Sequence, residues 1–177
     1  NRTSKVSANH FNAFSSGNYP LLAEAGITIA YDLSAIRKPA NHPLKVHKQL
    51  ESNIALLKLF PGISYHFVRA IAQTEGLKGL ILETFGAGNA TTEDWFIAEL
   101  ERLIKSGIPV VNITQCASGS VDQGKYETSS ALARIGVISG YDLTTEAAVC
   151  KMMFLLAGRS KDFKGDFQRN IAGELSV

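Results

Sequence analysis

The stretch KGLILETFGAGNATTED, residues 78–94, decides the predicted fold of this chain. Its apolar start, Gly79–Leu82, is typical of a buried strand. Gly86 and Gly88 then allow a sharp turn and a close approach of the backbone to a ligand, and Thr91 has the pattern of a capped helix start. This order indicates an open α/β sheet, in which ligands bind beyond the strand ends. The same pattern also fits a tight connection that binds nothing.

Strand and helix patterns alternate on both sides of this stretch. Strands that alternate with helices of 10–15 residues predict a mostly parallel sheet flanked by helices, and therefore an α/β fold. The predicted strands lie at 27–31, 53–60, 79–83, 109–113 and 136–140, and the predicted helices at 64–74, 92–106, 126–135, 144–156 and 163–167.

Composition excludes several classes of protein. The chain has 177 residues, 18 basic and 16 acidic side chains, and a net charge of +2, so nothing in it demands a nucleic acid or a membrane surface. Cys116 and Cys150 are too few for a disulfide scaffold or a zinc site, and a cytoplasmic location is the expectation. Because position 91 is threonine, the third glycine of a dinucleotide fingerprint is missing, which disfavours such a cofactor.

The loops that follow the strands at 79–83 and 109–113 leave the same edge of the predicted sheet. Residues 86–89 and 114–118 should therefore converge in one crevice. The side chain of Asn89 both donates and accepts hydrogen bonds, which suits a ligand with an ammonium or a carboxylate group. It equally suits a local turn.

Two further residues are candidates for chemistry. Lys5 lies among the hydroxyl residues Thr3, Ser4 and Ser7. A desolvated lysine beside hydroxyls can act as a base, although most lysines in such a setting are simply solvated. Cys116 is interpreted as a small structural thiol, because no histidine lies in its local stretch.

Several motifs together resemble L-asparaginases, most closely the type I branch of bacterial cytoplasmic enzymes. They are RTSKV, FNAF and NYPLLAEAG near the start, then LETFGAGN, VVNITQCASG and YETSSALARIGVISGYDLTTEAAVCKMMFLL. The resemblance covers nearly the whole chain. It implies that 1–38 is the tail of an N-terminal catalytic domain, 39–52 a linker and 53–177 a complete C-terminal domain. The numbering is therefore expected to begin partway through a longer protein.

The resemblance implies hydrolysis of L-asparagine to L-aspartate and ammonia, without metal or cofactor, through a threonine nucleophile. The TGGTI-like and DGTDT-like motifs that carry this chemistry in the family are absent from residues 1–177, so these residues alone are expected to be inactive. Lys5 falls where the family has its catalytic lysine, with a matching Phe14. The residue before that lysine is usually threonine in type I enzymes, and Ser4 keeps the hydroxyl.

The remaining site residues also follow from the resemblance. Gly88 and Asn89 match a turn that the C-terminal domain contributes near a neighbouring subunit's active site. Gln115 and Cys116 match a stretch that lines an effector site in type I enzymes, together with the residue that matches Ser4. Glu83 is a departure, because one type I pattern has arginine there, and its negative charge is expected to weaken effector binding.

The expected partners are L-asparagine and further copies of the same chain, as a dimer or a dimer of dimers, with no nucleic acid and no membrane. Two other functions fit the same family pattern. One is the asparaginase-like subunit of a tRNA-dependent amidotransferase, which should carry an extra N-terminal domain and a basic surface. The other is a ligand-sensing or assembly domain that has kept the fold without the chemistry.

Overall fold

The computed structural model describes residues 2–38, 43–124 and 127–176, with the backbone alone for 127–129. Part of the predicted linker and the start of the helix predicted at 126–135 lie outside these residues. In chain order the elements are β1 (Ser4–Lys5), β2 (Phe14–Ser15), β3 (Ala23–Ala25), β4 (Ile29–Tyr31), β5 (Ile54–Lys58), α1 (Tyr65–Ala72), β6 (Gly79–Thr84), α2 (Asp94–Lys105), β7 (Val110–Thr114), α3 (Glu127–Arg134), β8 (Ile138–Ser139), α4 (Thr145–Leu156) and α5 (Phe163–Gln168).

The main sheet has four strands in the order β5-β6-β7-β8, and every neighbouring pair is parallel. The register places Leu82 of β6 opposite Asn112 of β7, and Asn112 opposite Ser139 of β8. Since each strand is followed by a helix, the prediction of an α/β fold with a mostly parallel sheet is confirmed. The carboxyl ends of β6 and β7 share one edge, as the sequence pattern required.

Helices cover both faces of this sheet, which explains why all of β6 is buried. Leu80 and Leu82 belong to the core that contains Phe96 of α2. Ile81 points to the other face and belongs to the core that contains Phe167 of α5. A continuous apolar run is the pattern expected of a parallel strand buried on both faces.

The helix starts show where local prediction holds and where it fails. Ser64 caps α1, since its hydroxyl accepts a hydrogen bond from the backbone N–H of Phe67 at 3.3 Å. The capped start predicted at Thr91 is wrong, because α2 begins at Asp94 and its N-cap, Glu93, makes no side-chain capping bond. The Thr91 hydroxyl instead accepts from the N–H of Glu93 at 3.3 Å, which closes a turn before the helix.

Residues 2–38 form two antiparallel strand pairs, β1 with β2 and β3 with β4. Large apolar side chains of this segment are exposed, with Phe11 and Ile27 fully open to solvent. Its contacts with the rest of the chain include a buried ion pair between Arg2 and Asp142, 2.8 Å from Nη2 to Oδ2. The division into a domain tail, a linker and a C-terminal domain stays a prediction. Among the described residues, none of the helices has the length and apolar character that crossing a membrane requires.

Candidate functional site

A cavity of about 210 Å³ lies between the N-terminal segment, the loop after β7 and the start of α4. It combines an amine, hydroxyls, a carboxamide and a thiol. The lining side chains that matter for its chemistry are Arg2, Ser4, Lys5, Gln115, Cys116 and Thr145. Four of the six residues named as site candidates from the sequence, namely Ser4, Lys5, Gln115 and Cys116, therefore meet in one place.

The N-terminal segment, residues 2–38, forms one wall of the cavity and is hydrogen-bonded to the loop after β7. The side chain of Asn18 donates to the carbonyl of Gly119 and accepts from its N–H, both at 2.8 Å. Gly17 approaches the same loop so closely that a Cβ atom would lie 2.0 Å from the carbonyl oxygen of Ala117. A side chain at position 17 would force the two segments apart, so glycine is required for this contact.

Lys5 lies on β1, directly opposite Phe14 of β2 in the antiparallel register. The lysine is exposed and lines the cavity. The sequence separation of nine residues between these two positions thus corresponds to one cross-strand pair. An amine held on a strand at the edge of a cavity is accessible to a bound ligand and to any group that approaches from outside.

The three hydroxyls near Lys5 in sequence contact other groups. Thr3 Oγ1 lies 2.6 Å from Ser16 Oγ, and Ser4 Oγ donates to Glu146 Oε2 at 2.9 Å. Ser7 Oγ accepts from the backbone N–H groups two and three residues further on. Although these three hydroxyls are close to Lys5 in the sequence, none of these hydrogen bonds is made to the Lys5 amine.

Gln115 is held by backbone carbonyls of the sheet. Its Nε2 donates to the carbonyl of Leu59 at 2.7 Å and to that of Glu83 at 2.8 Å. Both amide protons are therefore committed, and the side chain offers a ligand only its oxygen, which accepts hydrogen bonds.

Glu83 is buried, and its carboxylate accepts a hydrogen bond from the hydroxyl of Thr145. Its other carboxylate oxygen lies 3.7 Å from Nζ of Lys58, which is largely exposed. Thr145 lines the cavity and Glu83 does not. The hydroxyl of Thr145 therefore lies between the Glu83 carboxylate and the cavity. With its proton committed to Glu83, the Thr145 hydroxyl can only accept from a ligand.

Arg2 supplies the positive side of the cavity. Its Nη2 is engaged by Asp142, by the hydroxyl of Ser176 at 2.6 Å and by the carbonyl of Asn18 at 2.9 Å. Within the described part of the chain, its buried Nη1 has no hydrogen-bond partner. A buried donor of this kind favours an acceptor group nearby.

Gly88 and Asn89 do not line the cavity that contains Cys116. The loops do meet at the shared sheet edge, since Thr114 Oγ1 donates to the carbonyl of Gly86 at 2.6 Å. The turn then closes on itself, because Phe85 and Asn89 exchange backbone hydrogen bonds of 2.9 and 2.8 Å. Gly86 and Gly88 have positive φ angles, 50° and 107°, which allow the chain to turn this sharply. The two loops therefore converge at this edge, as the topology predicted, while Gly88 and Asn89 lie outside the cavity that Cys116 lines.

The turn that precedes α2 also lies apart from the cavity beside Cys116. Thr91 lines a separate cavity of about 600 Å³, together with the aromatic side chains of Phe60, Phe85 and Trp95. An anionic group bound beside Thr91 would therefore occupy this second cavity and not the one beside Cys116.

Sequence reasoning missed the contribution of α4. Thr144 caps this helix by accepting from the N–H of Ala147 at 3.2 Å, Thr145 faces the cavity, and Glu146 holds Ser4. The pKa of Glu146 lies below its ordinary value because its carboxylate accepts from its own backbone N–H and from the Ser4 hydroxyl. In the sequence, Thr-Thr-Glu at 144–146 indicates a capped helix start. It does not indicate that these residues contribute to the cavity.

Within residues 2–38, 43–124 and 127–176, no group of three or more histidine, cysteine, aspartate or glutamate side chains is placed to hold a metal ion. Cys116 and Cys150 are both free thiols and both exposed.

Comparison with known proteins connects this site to a family. The family model described as "Glutaminase/Asparaginase C-terminal domain" matches residues 53–164. The chain is 40% identical to L-asparaginase 1 of Escherichia coli (strain K12), over 99% of this chain and 52% of that protein. It is 38% identical to the 60 kDa lysophospholipase of Mus musculus, over 100% of this chain and 32% of that protein.

A solved structure agrees in fold. L-asparaginase I from Vibrio cholerae superposes with a TM-score of 0.90 at 38% identity, covering 100% of this chain and 54% of that one. The chain thus spans about half the length of its bacterial relatives and about a third of the murine one.

Proposed function

The chain belongs to the glutaminase/asparaginase family, and we propose that it supplies the catalytic lysine and the C-terminal domain of an L-asparaginase. The reaction would be hydrolysis of L-asparagine to L-aspartate and ammonia. The observation that carries this proposal is the placement of Lys5, opposite Phe14 at the edge of a polar cavity, in a chain 40% identical to an L-asparaginase.

The role proposed for Lys5 is acid–base chemistry. In the reaction that the family resemblance implies, a threonine hydroxyl attacks the side-chain amide, the C–N bond breaks and ammonia leaves, and water then hydrolyses the resulting acyl-enzyme. An amine near that hydroxyl can take its proton as the new bond forms. The exposed position of Lys5 supports this role, because the amine can meet a nucleophile that other residues bring to it.

We expect residues 1–177, expressed alone, to release no ammonia from L-asparagine above a mock preparation. The reason is that the threonine motifs of the family lie outside this sequence. The full-length protein, purified in parallel, serves as the positive control. Since one relative is named a lysophospholipase, release of fatty acid from lysophosphatidylcholine is measured in both samples. Ammonia release by residues 1–177 would contradict the expectation.

The cavity beside Cys116 is the proposed effector site of this enzyme, and a free amino acid suits its chemistry. Gln115 presents an acceptor, which fits an ammonium group. Arg2 and Lys5 line the same cavity and carry the positive charges that suit a carboxylate. The small thiol of Cys116 leaves room for the ligand.

Glu83 is proposed to weaken this effector binding. Its charge stands behind Thr145, so a ligand carboxylate that approached this wall would be repelled by on the order of 1–4 kcal/mol in a partly wet site. That is comparable to a typical allosteric coupling of roughly 1–3 kcal/mol. Lys58, at 3.7 Å, offsets only part of this charge because it is largely exposed.

We therefore expect a hyperbolic dependence of rate on L-asparagine concentration in the full-length wild type, and a sigmoidal one in Glu83→Arg. Adding Cys116→Trp to Glu83→Arg should fill the cavity and restore the hyperbolic curve. Cys150→Trp is the matched control, because Cys150 is an exposed cysteine on α4 that does not line the cavity. A strongly sigmoidal wild type that Cys116→Trp makes hyperbolic would show that Glu83 does not block the site.

Assembly is part of the same proposal. Gly88 and Asn89 would serve the active site of a neighbouring copy in a dimer or a dimer of dimers. Their turn is held rigidly by two backbone hydrogen bonds and by the carbonyl of Gly88, which accepts from Asn112 Nδ2 at 3.1 Å. A rigid turn at a sheet edge can present a side chain to another chain with little cost in entropy. A cytoplasmic location also belongs to the proposal.

A further inference from the structure

The strand that carries Lys5 is joined to a rigid element of the chain by side-chain contacts. β1 is two residues long, and among the described residues its strand partner is β2, which is equally short. Lys5 itself is exposed. Because a pair of short strands has little stability of its own in water, side-chain contacts to a rigid element contribute to the position of this strand.

Two such contacts are made at the start of the strand, by Arg2 just before it and by Ser4 within it. Both reach the same short stretch, 142–146. Arg2 pairs with Asp142, and both side chains are buried. Ser4, the residue next to Lys5, donates its hydroxyl proton to Glu146 Oε2 at 2.9 Å. The first contact ties the segment to the domain, and the second acts directly beside the lysine.

Glu146 is carried by a rigid element. It lies in the first turn of α4, a helix of 12 residues that Thr144 caps. The next two residues, Ala147 and Ala148, are buried in the core. The Glu146 side chain itself is exposed, so the fixed start of the helix sets the position from which its carboxylate accepts the bond from Ser4.

We propose that Glu146 is a positioning residue for Lys5 and acts through the hydroxyl of Ser4. This inference rests on the proposed catalytic role of Lys5. The hydrogen bond sets the course of the backbone between positions 4 and 5 and thereby the place from which the amine reaches the reacting hydroxyl. A misplacement of about 1 Å costs up to roughly a hundredfold in rate, so a single supporting bond has a measurable share.

The test uses four variants of the full-length protein: Ser4→Ala, Glu146→Ala, the double variant and Glu146→Gln. We expect Ser4→Ala and Glu146→Ala each to lower kcat for L-asparagine by about tenfold with KM changed less than about twofold. The double variant should be no worse than either single one, because both remove the same bond. Glu146→Gln should keep kcat within about threefold of wild type, since its amide oxygen still accepts from Ser4.

Glu101→Ala is the matched control, because Glu101 is a helical glutamate whose ion pair, in the described part of the chain, is with exposed Lys105. A kcat for Glu146→Ala within twofold of wild type would overturn the proposal, as would additive losses in the double variant. Thermal unfolding of every variant shows whether a fall in kcat is explained by a loss of folded protein.

A second readout does not depend on activity. With 13Cε-labelled lysine, the NMR signal of Lys5, assigned by its absence in Lys5→Met, should shift in Ser4→Ala and Glu146→Ala and stay in place in Glu101→Ala. An unchanged Lys5 signal in Glu146→Ala overturns the positioning role. A wild type that hydrolyses no asparagine would refute the proposed function, whereas the shift of the Lys5 signal would still establish the contact.

Discussion

Replacing Lys5 with methionine in the full-length protein is expected to lower the rate of L-asparagine hydrolysis by about a hundredfold or more, the scale of a general acid–base group. Methionine keeps the length and the apolar stem of lysine but cannot carry a proton. Because Lys5 is exposed and pairs across the strands through its backbone, the substitution should leave the fold intact. The measurement is steady-state ammonia release, with circular dichroism and thermal unfolding as checks of the fold.

Lys161→Met is the matched control, since Lys161 is an exposed lysine that does not line the cavity. It should keep the activity of the wild type. If Lys5→Met turns over asparagine within a few-fold of wild type, Lys5 has no catalytic role. A fall in rate that is matched by a loss of folded protein would likewise remove the catalytic interpretation.

The second large effect concerns the buried ion pair that holds the end of the chain. Lys151 of α4 lies with Nζ 2.5 Å from Glu174 Oε1, and both side chains are at most 5% exposed. Nζ also donates to the carbonyl of Arg169 at 2.6 Å. Glu174 accepts further bonds from the N–H groups of Ile171 and Ala172, at 3.0 and 2.6 Å.

The electrostatics of this pair reflect burial and pairing together. Burial lowers the pKa of Lys151, and the bond to Glu174 opposes that shift. For Glu174, burial acts to raise the pKa, but the hydrogen bonds from Lys151 and from the two backbone N–H groups outweigh it, so its pKa lies below the ordinary value. The carboxylate is therefore charged at neutral pH and depends on these partners.

Lys151→Met should lower the free energy of unfolding by about 3–5 kcal/mol, because it leaves the buried Glu174 carboxylate without its counter-charge. Chemical denaturation of residues 1–177 measures this value. Lys105→Met is the control: Lys105 pairs with Glu101 at the surface, and an exposed pair contributes about 1 kcal/mol at most. The double variant Lys151→Met, Glu174→Gln should recover part of the loss, because the neutral amide oxygen still accepts from the N–H groups of Ile171 and Ala172. A loss below about 1 kcal/mol in Lys151→Met would contradict the structural role of the pair.

The fold was predictable because its signals are local. The apolar run of β6 and the glycines that end the helices indicate the alternation of strands and helices without any knowledge of tertiary contacts. The start of α2 was not predictable in the same way. A threonine hydroxyl can accept from a backbone N–H either as a helix cap or in a local turn, and at Thr91 it accepts from the N–H of Glu93 in a turn. Such competition between local hydrogen bonds is decided by packing that the sequence does not display.

The site was predictable only in part, for reasons of distance along the chain. Topology predicts that the turns after β6 and β7 share a sheet edge, but the direction of the first turn depends on the φ angles of Gly86 and Gly88. The placement of Ser4 and Lys5 beside Gln115 and Cys116 follows from family resemblance and not from any pattern in the chain. The bond from Ser4 to Glu146 joins residues 142 positions apart and has no local signature.

The most direct test is the reaction itself, followed by proton NMR in the full-length protein supplied with L-asparagine. We expect the asparagine signals to disappear and those of L-aspartate to appear in equal amount, with one ammonia released for each aspartate and with no added cofactor. A full-length protein that is folded and binds L-asparagine, yet produces no aspartate over many hours, would contradict the assignment of this chain to an active L-asparaginase.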